Sequence, residues 1–313
     1  MPAPNDFEEF REIAKRVNNW GRWGVEDEIG TLNLITPEVV RAAAATVRTG
    51  RRFALALPLQ QYGVQTGLIQ GRVNPLHTMV ALNWEMFGPG AIATSDDVVT
   101  MGLQAGTHWD GLGHVSHGGR IYNNRPAASI TPHEGATHSG VEKAAAAGLV
   151  SRGVLLDVAR ALGTDRLPGD HVVTPEDLEA AQALAGTEVR SGDVVLVRTG
   201  QIQLYLGGDR DEYAFPSPGL SLRTPEWFHA RDVAAVANDT LTFEIFPPEV
   251  DGLYLPVHAL HLVEMGMLQG QNWNLEELAA DCAADGVHEF LLCAPPEPFT
   301  GGVGAPVAPI AVK

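Results

Sequence analysis

Three times the chain writes Thr-Pro-Glu: Thr36-Pro37-Glu38, Thr174-Pro175-Glu176 and Thr224-Pro225-Glu226. Each tripeptide predicts a helix start. The threonine oxygen can accept from a free amide of the first turn, proline at the first helical position gives up an N–H that had no partner, and glutamate suits the positive end of the helix dipole. The residues after each tripeptide differ, so this is a recurrent start signal and not a repeat. Between the starts lie apolar runs, Phe53–Leu57, Gly153–Asp157, Asp193–Arg198 and Ala234–Ala237. Runs without a polar alternate suit strands covered on both faces. Helix starts alternating with such strands predict an α/β protein with at least one well-buried sheet.

Length and punctuation set the domain organisation. The 313 residues contain no low-complexity linker, so residues 20–294 are read as one domain. Residues 5–18 carry a helical stripe, Phe7, Phe10, Ile13, Ala14 and Val17, and residues 1–19 are read as a helical arm. Pro295–Lys313, rich in Pro, Gly and Ala, is read as an extended arm that wraps either a partner subunit or its own surface. The helix opened by Thr36 is expected to reach about Val47, and the last strand is placed at Glu289–Cys293. Leu255–Glu264 reads as a helix start with His258 and His261 on one face, and Asn274 as the cap of a short helix.

Charge excludes some partners. A formal net charge of −17 disfavours nucleic acid, which needs clustered Lys and Arg, and an anionic membrane surface. No apolar run approaches the roughly 20 residues that span a bilayer. The segment Met1–Glu9 lacks a basic region followed by an apolar one, so a cytoplasmic location is expected. The two cysteines, Cys282 and Cys293, make no disulfide framework and are read as buried free thiols.

One stretch concentrates the chemistry. Gln104-Ala-Gly-Thr-His-Trp-Asp-Gly-Leu-Gly-His114, followed by His117, places three histidines and an aspartate close together. Val98–Leu103 is apolar enough for a strand. If the strand continues, Gln104, Gly106, His108 and Asp110 share one face, and Gly111 and Gly113 then turn His114 back toward them. Imidazole and carboxylate are ligands that zinc and manganese accept. From the residues alone, a metal site and a set of hydrogen-bonded loop residues are both open.

Gly106-Thr-His-Trp-Asp110 with His114 resembles the signature His-x-Gly-Thr-His-x-Asp-x-x-x-His of the metal-dependent cyclase-like hydrolases, a family that includes kynurenine formamidases and isatin hydrolases. Trp23–Asn33, Asn74–His77, Arg152–Asp157, Gly192–Gly200, Pro256–His258 and Gly270–Glu276 are similar to further stretches of its longer members. The resemblance implies a compact β/β/α (swivelling) fold, a homodimer or homotetramer, and one divalent metal, manganese or zinc. It implies His108 and Asp110 as ligands, His114 as the proton-handling histidine and His258 as a contributor to the site. Two positions depart from the pattern. Gln104 stands where the signature has its first histidine, and Gln271 where formamidases carry a glutamate. A neutral carboxamide is a weaker donor than either, which leaves one weakly held metal, a different metal or none.

The leading expectation is a hydrolase of an amide or lactone bond in a small cyclic or N-acyl substrate. The metal would activate a water and polarise the carbonyl, and His114 would take a proton and return it to the leaving atom. The chain has no Gly-x-Ser-x-Gly elbow that would point to a serine nucleophile. A metal-free small-molecule binder of the same fold and a lyase or cyclase using His114 are the rivals. Trp20, Trp23, His77, Trp84 and Trp109 are candidate pocket residues, with a core role as their alternative. His117 and His261 are read as structural, His133 and His138 as loop residues with a lid as the sharper option, and Asp157 and Asp239 as surface caps or partners of the ligating histidines.

Overall fold

Apolar runs make strands that need cover on both faces, and three of them, joined by the more polar Leu268–Gln271, form the centre of the computed structural model, which describes residues 7–313. Val150–Asp157, Val194–Arg198, Ala235–Asn238 and Leu268–Gln271 run parallel in that order, and every residue after Val150 is buried. The register sets Leu196 beside Leu155 on one side and Ala237 on the other. Helices Pro175–Ala185 and Thr224–Ala230 and the helical segment Pro256–Met265 make the crossovers. Antiparallel strands extend both edges. Glu289–Cys293, Ile310–Val312 and Arg52–Ala54 continue the sheet beyond Val150–Asp157, while His108–Asp110 and Gly304–Pro306 continue it beyond Leu268–Gln271.

Alternation along these strands feeds two apolar layers. Val154, Leu156, Val195 and Val197 pack with Leu178, Phe228 and the N-terminal helix Glu8–Val17, whose Phe10, Ile13 and Val17 are buried. Leu155, Leu196 and Ala237 face the other way, toward Trp109, Trp273, Leu278 and Phe290. The result is the mixed α/β single domain expected, a curled mixed sheet with flanking helices. Residues 5 and 6 of the expected first helix lie outside the described residues. The C-terminal arm lies in its own sheet, as Gly304–Pro306 and Ile310–Val312, so two strands follow the one expected to be last.

Local chemistry explains where elements begin. Thr36 accepts from Val39 N at 3.3 Å, and Thr174 forms a reciprocal box with Asp177. Thr224 differs. It lies inside its helix, Arg223 holds the cap position, and the threonine hydroxyl donates to the Ser221 carbonyl at 2.8 Å. The strand expected at Phe53–Leu57 is Arg52–Ala54, and the helix after Thr36 stops at Ala44.

The larger correction concerns Val98–Leu103. The strand there is Thr94–Thr100, paired antiparallel with Leu76–Trp84 in a hairpin whose faces are both largely exposed. The chain then turns through residues 101–107 before the short strand His108–Asp110. Alternation therefore does not run from Gln104 to Asp110. Among the described residues, no helix is long and apolar enough to cross a membrane.

Candidate active site

His108 and Gln271 face each other across the antiparallel pair that joins His108–Asp110 to Leu268–Gln271, with Asp110 opposite Gln269. Side chains alternate along each strand, so His108, Asp110, Gln269 and Gln271 share one face. Trp109 takes the other. It lies opposite Gly270, stacks edge-on with Trp273 at 5.0 Å and donates its indole N–H to the Ala294 carbonyl at 2.8 Å. A Cβ on Gly270 would stand 2.6 Å from Trp273 Nε1 and 2.7 Å from Ala237 Cβ. Glycine there is what lets the Trp109–Trp273 pair back the site strand.

The Gly-Thr-His sequence is an anchoring device. The Gly106 carbonyl accepts from His108 Nδ1–H at 2.8 Å and from Asn272 Nδ2 at 3.0 Å. Thr107 donates to the Asn272 carbonyl at 2.6 Å and accepts from Leu57 N at 2.8 Å. Asn272 is held in turn by the Tyr213 hydroxyl at 2.6 Å. With its proton on Nδ1, His108 presents the Nε2 lone pair to the site. Beyond Asp110, the His114 amide donates to the Gly111 carbonyl at 2.9 Å, a turn that carries the imidazole back over the carboxylate.

Asp110 is the hub. Its Oδ1 lies 3.3 Å from His108 Nε2 and 3.5 Å from His114 Nε2. Its Oδ2 accepts from Gln271 Nε2 at 2.7 Å and lies 3.7 Å from His258 Nε2. Burial alone would push this carboxyl up, but the imidazoles of His114 and His108, with His258 behind them, hold it well below the usual carboxylate range. Burial dominates at His114, holding its pKa down to about 4 against the pull of Asp110, so the ring is neutral near pH 7. The second nitrogen of His258 meets Glu244, whose carboxylate also accepts from Val257 N at 3.0 Å and His258 N at 3.1 Å. A carboxylate behind an imidazole fixes the tautomer and the ring plane.

A cavity of about 300 Å³ opens onto this cluster. Its polar lining is Arg72, His114, Thr242, Glu244, His258 and Gln271, and its walls include Leu68, Ile69, Leu241, Ile245 and Phe246. An apolar chamber with a few convergent polar groups is the usual form of a small-molecule site.

Two buried atoms test whether the donors suit a metal ion. His108 Nε2 and Asp110 Oδ1 have no hydrogen-bond partner, and their 3.3 Å separation is about that of two ligands of one tetrahedral ion with bonds near 2.0 Å. These two fit a single divalent cation. The other half of the cluster does not fit a second. The Gln271 amide already donates to Asp110 Oδ2 and meets His258 Nε2 at 3.2 Å. Among the described residues, no group of three or more His, Cys, Asp or Glu side chains forms a preformed centre. Gln104 is half-buried, with an unpartnered Nε2 that a Cβ on Gly304 would meet at 2.7 Å.

His108, Asp110, His114, His258 and Gln271 thus come together. Trp23, His77, Trp84 and Trp109 do not line the cavity. Trp109 is core, Trp23 lies under the Arg22 guanidinium at 4.7 Å, His77 pairs with Asp97 at 2.7 Å on the hairpin, and Trp84 is exposed at the end of the same strand. Trp20 donates to the Val263 carbonyl at 2.7 Å. His261 is buried on residues 259–265, which wind as a π-helix, and packs between Phe228 and Phe243, the ring that His258 also touches. His117 is half-exposed beside Phe10, His133 is exposed, and His138 meets Glu28 at 3.1 Å. Asp157 and Asp239 are not surface caps. Both are buried, Asp157 capping Val158–Ala161 and pairing with Arg198, Asp239 accepting from Thr199 and Gly200. Cys282 is buried and Cys293 partly so. Arg72 and Glu244 carry no sequence signal of their own. A demand that every buried imidazole have a partner for its second nitrogen would prompt a search for Glu244.

Comparisons with known proteins bear on the family and the fold. Residues 32–245 match the model of the Cyclase family, described as "Putative cyclase". A solved structure described as a novel cyclase is 37% identical, with a TM-score of 0.87, and the match covers 95% of this chain and 100% of that one. Isatin hydrolase A from Ralstonia solanacearum is 20% identical, with a TM-score of 0.62 over 89% of this chain and 98% of its own. A protein from Bacillus stearothermophilus described as a predicted metal-dependent hydrolase is 16% identical, with a TM-score of 0.53 over 84% and 98%. No curated protein matches.

Proposed function

The chain belongs to the cyclase family, and we propose that it is a hydrolase of that family, opening the amide or lactone bond of a small cyclic or N-acyl compound in the chamber beside His114. The observation that carries this reading is the position of His114, partly buried, whose Nε2 lies 3.5 Å from Asp110 Oδ1 and whose ring lines a largely apolar cavity. The resemblance to an isatin hydrolase and to a protein described as a metal-dependent hydrolase supports the reaction class.

His108 Nε2 and Asp110 Oδ1 would hold one divalent cation, Mn or Zn, which when bound polarises a carbonyl and acidifies water. The chain's own residues supply the rest. His114 takes a proton from the attacking water and returns it to the departing nitrogen or oxygen, so the carbonyl carbon gains a hydroxyl as its bond to that atom breaks. Asp110 steadies the charge that His114 acquires in between. Glu244 holds His258 in one orientation, and the apolar walls limit the water that reaches the substrate.

A panel of lactones, cyclic imides and formyl-anilides tests the proposal. Turnover of at least one by the wild type, falling roughly 100-fold or more in His114→Gln, is expected. No turnover of any, or equal turnover by the variant, would overturn it. The Gln271 contacts favour one rival, a binder of the same fold that uses no metal. Metal content below about a tenth of an equivalent after soaking in Mn, a level that adventitious binding reaches, would select that rival.

The exposed hairpin supports assembly as a homodimer or homotetramer, since a two-stranded hairpin without a covered face has little stability of its own.

A further inference from the structure

Buried arginines in this protein come with acids. Arg152 pairs with Asp193 at 2.6 Å and Glu289 at 2.7 Å, and Arg198 pairs with Asp157 and Glu276, both at 2.8 Å. Arg72 is only partly buried, yet it has no such acid. Among the described residues it makes no ion pair, its Nη1 is buried with no hydrogen-bond partner, and its Nη2 contacts His114 Nε2 at 3.3 Å. Asp110 is the acid whose field reaches it. With 38 acidic residues in the chain, a guanidinium left unpaired against a low-dielectric wall is a costly arrangement.

Its position gives the cost a use. Arg72 follows a turn at Gly71, and the Gly102 amide donates to the Val73 carbonyl at 3.1 Å, tying this segment to the foot of the hairpin. The side chain lines the cavity together with His114, while Leu68, Ile69, Leu241, Ile245 and Phe246 supply apolar surface. The chamber therefore offers a planar cation beside a polar group of His114, Thr242, His258 and Gln271, with Glu244 engaged by His258, and its other walls offer hydrocarbon. That pairing suits a small apolar molecule with one anionic, planar, oxygen-bearing group, because guanidinium and carboxylate match in shape as well as in charge.

We propose that Arg72 is the anion-binding residue of this cavity and that its ligands are small, largely apolar carboxylates, either carboxylate-bearing substrates or the acids that hydrolysis releases. The inference rests on the reading of the cavity as the substrate site. It does not require that any particular bond be broken there.

Titration calorimetry of the full chain as purified, with phenylacetate and its neutral isostere phenylacetamide, tests it. Wild type should bind the acid roughly tenfold or more tightly than the amide, as a charge-assisted hydrogen bond in a dry site implies. Arg72→Gln should lose that preference, Arg72→Lys should keep part of it, and His108→Ala should keep it. Melting temperatures of the variants establish that they are folded, and Arg72→Lys carries the test if Arg72→Gln is not. Equal binding of acid and amide by wild type, or binding of neither, overturns the proposal. So does a preference that survives in Arg72→Gln but disappears in His108→Ala, since the anion would then sit on a cation at His108. Absence of turnover on the hydrolase panel leaves these binding outcomes untouched, so the two readings fail separately.

Discussion

Gln271 Nε2 donates to Asp110 Oδ2 across 2.7 Å, and the same amide meets His258 Nε2 at 3.2 Å. Half of the central carboxylate is thereby satisfied by the protein itself, while Oδ1 and His108 Nε2 are left without partners. A second acid in place of the amide would set two carboxylates against each other. Gln271→Glu should therefore melt lower than wild type in chelator, by the equivalent of about 1–3 kcal/mol, and regain the loss in manganese. Elemental analysis should find at most one ion per wild-type chain and more than one in the variant. An unchanged stoichiometry would mean that Gln271 does not close the second position.

Glu244 works through His258, so its loss should show in orientation. Glu244→Gln keeps the shape and removes the charge that faces His258 Nδ1 and the amides of Val257 and His258. Turnover should drop roughly 10- to 100-fold, with kcat carrying the loss and KM changing little. A variant altered only in KM would place Glu244 in substrate binding instead.

His261 and Asp239 give the stability curve a readable shape. Burial, aided by His258, depresses the folded pKa of His261 to about 3. The unfolded chain therefore binds a proton below about pH 6.5 that the folded protein refuses, and stability falls with pH from there down to about 3, by roughly 1.4 kcal/mol per unit. Burial raises Asp239 to about 6. Its folded form binds the proton first, so between about pH 6 and 4 its contribution rises as pH falls and offsets that of His261. His261→Gln removes one side of this balance. Urea unfolding should show the variant losing less stability than wild type between pH 7 and pH 5, by about 2 kcal/mol. Parallel losses in the two proteins would refute the buried neutral assignment.

The hairpin presents Val80 and Leu82, 65% and 69% exposed, with Phe87 and Ile92 near its tip at 85% and 88%. We read this exposed apolar patch as the subunit interface of the proposed oligomer. Light scattering should report a dimer or tetramer for wild type and a smaller species for Val80→Asp with Leu82→Asp. Identical masses would place the interface elsewhere.

Parts of the fold and the site are legible in the residues alone. Val194–Arg198 announces itself because a buried parallel strand tolerates no polar alternate, and Thr174 because its box with Asp177 is a local matter of three residues. His108, Asp110 and His114 are legible because one short segment carries all three. Gln104 is misplaced by an alternation that ends at Thr100, where the hairpin gives way to turns. His261 is read as structural and is so, buried between Phe228 and Phe243. Arg72, 42 residues from His114, and Glu244, 14 residues from His258, leave no local trace. Their neighbours are decided only when the sheet brings distant segments together. Membership of the cyclase family stands on motifs spread along the chain, and Gln271 is singled out through those motifs, not through its own surroundings.

The site strand His108–Asp110 is only three residues long, flanked by Leu268–Gln271 on one side and Gly304–Pro306 on the other. Its bond to Gln271 spans 161 positions of the chain, and closing such a span late is what slows proteins with distant pairings. Ligand binding is then a property of the finished sheet alone. During refolding, secondary structure should return ahead of affinity for any small molecule, and a chamber-binding ligand should favour the closed sheet over every partly paired intermediate.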